Sequence, residues 1–324
     1  MFSIIIPLYN KASYVEKAIR SVAAQTYKEF ELIVIDDGST DDSFAIAQRV
    51  ISSITPPLGG WGATTQENQG VSTTRNNGVK LAKYDYIAFL DADDWWEPTF
   101  LEEMKGLIEE FPEAGIYGSS YYKVKNGKHI PANIGVEAGF ERGYINYSHV
   151  YAKTMWMPLW TGATIVKKEI FVSEKGFKPM LKLGEDFDLW IRIALKYPVA
   201  LLNKPLSNYN QDVDLDSRGV VFEKIYAPST HFIFNLDYLE SEELKNKELK
   251  KLLDLLRLYT LIRYRLSETE TEIVNKQIKK VDFSLQKKSF WFIYHAPIWA
   301  VKMYYNFEKL LSNIKKTTLK NGIF

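Results

Sequence analysis

The sequence contains no cysteine, which excludes disulfides, thiolate metal sites and cysteine nucleophiles and leaves the redox compartment open. An excess of one charge is also missing. Lys and Arg number 41 against 40 Asp and Glu, a net charge of +1, so the chain as a whole offers no electrostatic footprint for nucleic acid. No apolar run reaches the roughly 18 to 20 residues that a helix needs to span a bilayer. Internal repeats and low-complexity tracts are absent. The chain opens on Phe2-Ser-Ile-Ile-Ile-Pro7, too short for a signal-peptide core and without a basic start or cleavage site. The expectation is a soluble cytoplasmic protein, with one reservation at the C-terminal end. What is present is ordinary globular composition, 46% hydrophobic and 25% charged over 324 residues, enough for one large domain or two.

Apolar β-branched runs and amphipathic stretches alternate through the first part of the chain. Ser3 to Pro7 reads as a buried strand, and Tyr14, Val15, Ala18, Ile19 and Val22 form one helical face, with Ser13 and Glu16 at capping-box spacing. Glu31 to Asp36 is a second strand, followed by a turn and a helix carrying Phe44, Ala47, Val50 and Ile51. A loop at Pro56, Pro57, Gly59 and Gly60 leads to a short strand, a helix through Arg75 and Val79, the strand Tyr86 to Leu90, and a helix from Pro98 to Phe111. Strand and helix alternating with short links predict an α/β fold, a mostly parallel sheet flanked by helices. Asn126-Gly127 signals a hairpin. Further on, Phe187 to Leu195 reads as a helix and Val199 to Leu202 as a strand; beyond about Asp216 strand signals fade into a helical extension.

The strand Tyr86 to Leu90 runs into three carboxylates, Asp91, Asp93 and Asp94. Clustered acids at a strand end repel one another and lose hydration in any closed site, and a divalent cation such as Mg2+ or Mn2+ relieves both costs. A solvated helix cap fits the same residues. Two further acidic pairs end other elements: Asp36-Asp37 after the second strand and Glu185-Asp186 opening a later helix. Carboxylates converging on one cleft of an α/β sheet suit transfer from a diphosphate leaving group. One acid holds the nucleoside, a pair holds the metal, and one takes the proton of the attacking hydroxyl.

Over roughly residues 1 to 215 the chain resembles the family 2 glycosyltransferases of the GT-A fold. The resemblance rests on Ser3-Ile-Ile-Ile-Pro-Leu-Tyr-Asn10, Ser21-Val-Ala-Ala-Gln-Thr-Tyr27, Val34-Ile-Asp-Asp-Gly-Ser-Thr40, Asn68-Gln-Gly-Val-Ser-Thr-Thr-Arg-Asn-Asn-Gly78, Phe89-Leu-Asp-Ala-Asp-Asp94 and Gly184-Glu-Asp-Phe-Asp-Leu-Trp190, in that order and spacing. It implies that Pro7 and Tyr9 line the nucleobase and ribose pocket and that Asp37 accepts a hydrogen bond from the base, commonly uracil. It places Arg75 near the donor, makes Asp93 a metal ligand, and sets Asp91 on the ribose or the metal through water. Asp186 matches the general base, giving inversion at the anomeric carbon. Glu185, Trp160, Thr161 and Gly162 match the acceptor side. Relatives carry a Tyr-x-x-His pattern after the last sheet strand; here Tyr209-Asn-Gln-Asp-Val-Asp-Leu-Asp-Ser-Arg218 offers Asp212, Asp214, Asp216 and Arg218 but no histidine. The Gln-x-x-Arg-Trp element of processive members is absent, which implies one sugar per binding event.

The expected organisation is a GT-A domain over residues 1–215 and a helical region over 216–324. The expected activity is transfer from a nucleotide-sugar, UDP-linked, to a carbohydrate or lipid-linked acceptor in surface polysaccharide or glycoconjugate synthesis. A non-catalytic nucleotide-sugar-binding protein and an Asp-dependent phosphohydrolase are the alternatives. The tail Phe290-Trp-Phe-Ile-Tyr-His-Ala-Pro-Ile-Trp-Ala-Val301 is unusually aromatic, with Lys287, Lys288, Lys302, Lys309, Lys315, Lys316 and Lys320 around it. Two readings fit residues 287–320: peripheral contact with the inner face of a membrane, or packing on protein.

Overall fold

The structure, a computed structural model, describes residues 1–54, 60–214 and 224–306. Pro56, Pro57 and Gly59 of the expected loop, Asp216 and Arg218, and Lys309, Lys315, Lys316 and Lys320 lie outside the described residues. In chain order the strands and α-helices are β1 (Phe2–Leu8), α1 (Val15–Ala23), β2 (Phe30–Asp36), α2 (Ser43–Ser53), β3 (Trp61–Thr65), α3 (Val71–Leu81), β4 (Tyr86–Phe89), β5 (Trp95–Trp96), α4 (Phe100–Glu110), β6 (Ile116–Lys125), β7 (Lys128–Pro131), β8 (Arg142–Ile145), α5 (Tyr147–Thr154), β9 (Thr164–Lys167), α6 (Lys168–Ser173), α7 (Glu185–Ala194) and β10 (Val199–Asn210). Beyond these come α8 (Glu240–Lys245), α9 (Lys247–Ser267), α10 (Thr271–Ile278) and α11 (Lys288–His295).

Two compact units divide the chain, Met1–Phe232 and Ile233–Phe324, where the sequence set the boundary at 215/216. The first unit is built on one sheet of order β3-β2-β1-β4-β9-β6-β10-β5. Through β3, β2, β1 and β4 the strands are parallel; β9 then enters antiparallel between β4 and β6. Every residue of β1 and β2 is buried, which is why these strands read as continuous apolar runs rather than alternating ones. The core gathers Ile4, Ile6 and Val34 of the sheet with Val15, Ile19 and Val22 of α1 and Phe100, Met104 and Leu107 of α4. Each such side chain contributes about 1.5–3 kcal/mol on burial. On the sheet's other face α3 approaches so closely that a Cβ on Gly78 would lie 2.5 Å from Ile5 Cγ2. The parallel strands therefore bring Tyr9, Asp36-Asp37 and Asp91 to one edge, the C-terminal edge at which open α/β sheets bind ligands.

Some local expectations need correction. The helix after the acid cluster begins at Phe100 with Thr99 at its N-cap, so Pro98 stands outside it. Trp95 and Trp96 are held extended as β5 by pairing with Asn208 and Ser207 of β10. Ser13 does not cap α1, which starts at Val15 without a side-chain cap; Glu16 binds Arg20 Nε instead, at 2.8 Å. The last strand runs on to Asn210, shifting register around Pro205. Asn126 and Gly127 do turn a hairpin, with φ of 51° and 68°, and Asp212 accepts hydrogen bonds from both of their amides at 2.7 and 3.0 Å.

In the second unit, the helical extension includes α8 and α9, with Asn246 capping α9 by accepting from Glu248 N and Leu249 N. Arg257, buried on α9, grips both oxygens of Glu243 on α8 at 2.5 and 2.7 Å. Among the described residues no helix is long and apolar enough to cross a membrane.

Candidate active site

Each flank of the site begins where a strand stops. Pro7 is buried within β1, and Tyr9, one residue past its end, keeps 46% of its surface exposed. Its neighbour Asn10 takes a left-handed φ of 48° and fastens to the β2–α2 loop, receiving Thr40 N at 2.9 Å on its side chain. Asp36 and Asp37 are both buried. Asp36 Oδ2 accepts from Ser39 N and Thr65 Oγ1. Asp37 accepts three hydrogen bonds, from Gln66 Nε2 at 2.8 Å, Gln69 N at 2.9 Å and Gly70 N at 2.8 Å. The carboxylate thus fixes the loop that starts α3. An ionised carboxylate has about four acceptor positions, so one stays available.

Arg75, on α3, is buried and bridges two acids far apart in sequence. Its Nη2 donates to Asp91 Oδ1 at 2.6 Å and its Nη1 to Glu185 Oε1 at 3.1 Å. Burial works against the Arg75 charge, and Asp91 and then Glu185 overcome it, so the guanidinium is held even more firmly protonated than usual. One cation thereby joins α3, the turn after β4 and the start of α7. Asp93 meets a second cation, Lys11 Nζ, at 2.5 Å, both side chains being largely shielded. Burial raises the Asp93 carboxyl and Asp91 adds to the rise, while Lys11 opposes it. Asp94 is not a helix cap. It is buried and accepts from Asn210 N at 2.8 Å and from Trp160 Nε1 at 3.2 Å, and burial followed by the Asp93 and Asp91 charges lifts its carboxyl well above the usual range.

Trp160, Thr161 and Gly162 lead into β9 across this cluster. The Trp160 ring lies 4.1 Å from that of Tyr209. Trp96 Nε1 donates to Gly162 O at 2.6 Å, and a Cβ on Gly162 would come 3.4 Å from Asp94 Oδ2. Thr161 Oγ1 donates to Asp186 Oδ2 at 3.3 Å. The other oxygen of Asp186 takes the amide of Phe187 at 2.7 Å. Gly184, with a φ of 76°, supplies the sharp entry to α7; a Cβ there would collide with the Phe232 ring. Burial first, then the charge of Glu185, push the Asp186 carboxyl up to about 7, against the Phe187 amide and Arg75, which pull it down. A carboxylate poised near neutrality can both take and return a proton at working pH.

Among the described residues no three ligating groups converge on a point. Asp91 and Asp93 nonetheless fit a cation that takes its remaining ligands from phosphate and water, as Mg2+ and Mn2+ do in nucleotide sites. Their mutual repulsion and the lysine drawn onto Asp93 mark a place where positive charge is favoured. The sequence pattern points to Arg75 without its partners and gives Lys11 no role, although Lys11 directly follows the segment Ser3 to Asn10. It also misses the tyrosines Tyr121, Tyr147 and Tyr151, which are buried beside Asp186.

Comparison with known proteins gives the family and the fold. Residues 3–167, about half of the chain, match the model of glycosyl transferase family 2, and the chain belongs to that family. An uncharacterized glycosyltransferase of Rickettsia felis is 35% identical over 207 residues, covering 63% of this chain and 32% of the relative. Glycosyltransferase GlyA of Streptococcus pneumoniae serotype 4 is 36% identical over 120 residues, 37% of this chain and 16% of the relative. The chain thus spans about a third or less of the length of these relatives. Among solved structures, residues 1–349 of S. aureus TarS in complex with UDP-GlcNAc superpose with a TM-score of 0.65 at 20% identity, over 87% of this chain and 82% of that one. The fold is the GT-A α/β fold with helices at its C-terminal end.

Proposed function

We propose that the chain is an inverting glycosyltransferase. It moves a sugar from a UDP-linked donor to a carbohydrate or lipid-linked acceptor, with Mn2+ or Mg2+ held by Asp93 and Asp91, in surface polysaccharide or glycoconjugate synthesis. The observation that carries the reading is Asp186, a carboxylate pushed to about 7, hydrogen-bonded on one oxygen by Thr161 and on the other by the Phe187 amide. The donor class is supported by the fold likeness to TarS, which has been solved in complex with UDP-GlcNAc and with UDP.

In this mechanism the exposed ring of Tyr9 stacks on the nucleobase beside Pro7, and the remaining acceptor position of Asp37 receives the base N–H. Arg75 keeps Asp91 and Glu185 at fixed separation on the donor and acceptor sides. A bound cation supplies charge neutralisation of the diphosphate. Asp186 takes the proton of the acceptor hydroxyl as the new C–O bond forms at the anomeric carbon. The bond to the diphosphate oxygen breaks, and its electron pair departs with the nucleotide. Attack from the face opposite the leaving group inverts the anomeric centre.

The test is Asp186→Asn. UDP binding measured by calorimetry should survive, while transfer or donor hydrolysis falls by about 10²- to 10⁴-fold, the usual contribution of a general base. Undiminished turnover with binding intact removes Asp186 as the base. Absence of UDP binding by the wild-type chain with Mn2+ present removes the UDP-linked donor assignment.

A further inference from the structure

The last described residues of the second unit are helical on both sides of Pro297: α11 before it, and residues 298–306 after it. Their apolar side chains separate into two sets. Phe290, Ile293 and Val301 are buried. Beside them, Tyr294 Oη donates to Leu258 O at 2.6 Å, and Arg265 Nη2 donates to Ala296 O at 2.8 Å, both tying the segment to α9. This inward set accounts for why the segment folds against its own unit. It leaves the outward set unexplained. Trp291 is 55% exposed, Trp299 66%, Met303 64%, and Leu285, just before α11, 77%. Trp299 and Met303 stand four residues apart and so share a helical face, as do Trp291 and His295, whose rings stack at 4.9 Å.

The charge on this segment has one sign. From Phe283 to Asn306 the chain carries Lys287, Lys288 and Lys302 and no acid. Lys287 and Lys288 are exposed and pair with no acid among the described residues, whereas Lys302 reaches Glu268 at 2.5 Å from a half-exposed position. Tryptophan is the side chain that settles at the boundary between headgroups and acyl chains, and lysine beside it answers anionic headgroups. Among the described residues no helix is long and apolar enough to span a bilayer, and basic-aromatic helices can lie in the interface. A second copy of the chain is the poorer fit, because two faces bearing Lys287 and Lys288 would oppose like charges.

We infer that the outward face of residues 285–303 docks on an anionic lipid surface, with Trp291, Trp299 and Met303 as the inserted side chains and Lys287 and Lys288 as the headgroup contacts. The inference concerns the second unit alone and stands whether or not the transfer reading holds.

The experiment is co-sedimentation of the full chain with phosphatidylcholine vesicles, with and without phosphatidylglycerol. The chain should pellet with the anionic vesicles and be released by salt. Trp291→Ser combined with Trp299→Ser and Met303→Ser should lower the bound fraction on the order of tenfold or more, and Lys287→Glu with Lys288→Glu should do the same on anionic vesicles only. Because all five positions face outward, the thermal midpoint of both variants should match the wild type, which separates lost docking from lost folding. Equal binding by wild type and both variants, or no binding by the wild type, overturns the inference. So does a dimer in sedimentation equilibrium that the tryptophan variant disperses, since the face would then belong to a second copy.

Discussion

At the scale of single residues, the site sets opposite demands on stability and chemistry. The Asp186 carboxyl is raised in the folded chain from the ordinary value of 3.8 to about 7. Between those values the folded state binds more protons than the unfolded one, so this group's contribution to stability falls as pH rises through the window. In the proposed mechanism activity has the reverse dependence, since a general base acts only when deprotonated. The expected profile is transfer that climbs with pH and levels off above about 7, alongside a thermal midpoint that declines over the same range. Asp186→Asn should flatten the second curve and hold the first at its residual, pH-insensitive level. Its midpoint near neutrality should lie above the wild type by roughly 2–4 °C per kcal/mol relieved. A lower midpoint would show that the carboxylate is needed for folding. Lys11 gives a matching test on the donor side. Lys11→Met leaves Asp93 shielded without its cation, and should cost about 1–2 kcal/mol in urea unfolding, less than a fully buried pair because both partners keep some solvent contact. Mn2+ should restore more of the midpoint in this variant than in wild type. Equal restoration in both would separate Lys11 from the acids proposed to hold the cation.

Between elements, the decisive object is the Arg75 bridge, because α3, the turn after β4 and α7 each supply one member. Arg75→Lys keeps the charge but loses the planar fork that spans two carboxylates, and should destabilise the first unit by about 2–4 kcal/mol with a joint loss of transfer. A double-mutant cycle with Glu185→Gln should show coupling on the order of 1 kcal/mol or more. Additive effects would mean the bridge is incidental. This scale is also where the sequence reading stopped. The strands and the acids at their ends were legible, because buried parallel strands are apolar throughout and the Asp-Asp, Asp-x-Asp and Glu-Asp pairs are local patterns. The partners of Arg75 lie 16 and 110 residues away and exist only once the sheet has closed. Asp94 looked like a helix cap for the same reason: Trp160 and Asn210, its actual partners, are remote in sequence. Nothing local to Trp95-Trp96 signals their pairing to β10.

For the whole molecule, the site and the lysine-aromatic face fall in different compact units, Met1–Phe232 and Ile233–Phe324. All of Tyr9, Asp37, Arg75, Asp91, Asp93, Thr161 and Asp186 belong to the first. Each unit has a core of its own, with Ile4, Leu32 and Phe100 in one and Leu252, Leu258 and Leu261 in the other. A ligand that binds only the native first unit must therefore stabilise that unit, by about 2.7 kcal/mol at a hundred times its dissociation constant. Calorimetric scans with a panel of nucleotide-sugars should show a donor-dependent rise that requires Mn2+ or Mg2+ and vanishes with chelator. The rise should be absent in Asp93→Asn and retained in Asp186→Asn, because the first residue is assigned to the cation and the second to the acceptor proton. Anionic vesicles should act on the other unit, leaving the donor response unchanged in the Trp291→Ser, Trp299→Ser and Met303→Ser chain. A donor response insensitive to chelator would dismiss the cation while preserving the base, and the sugar giving the largest shift would name the donor.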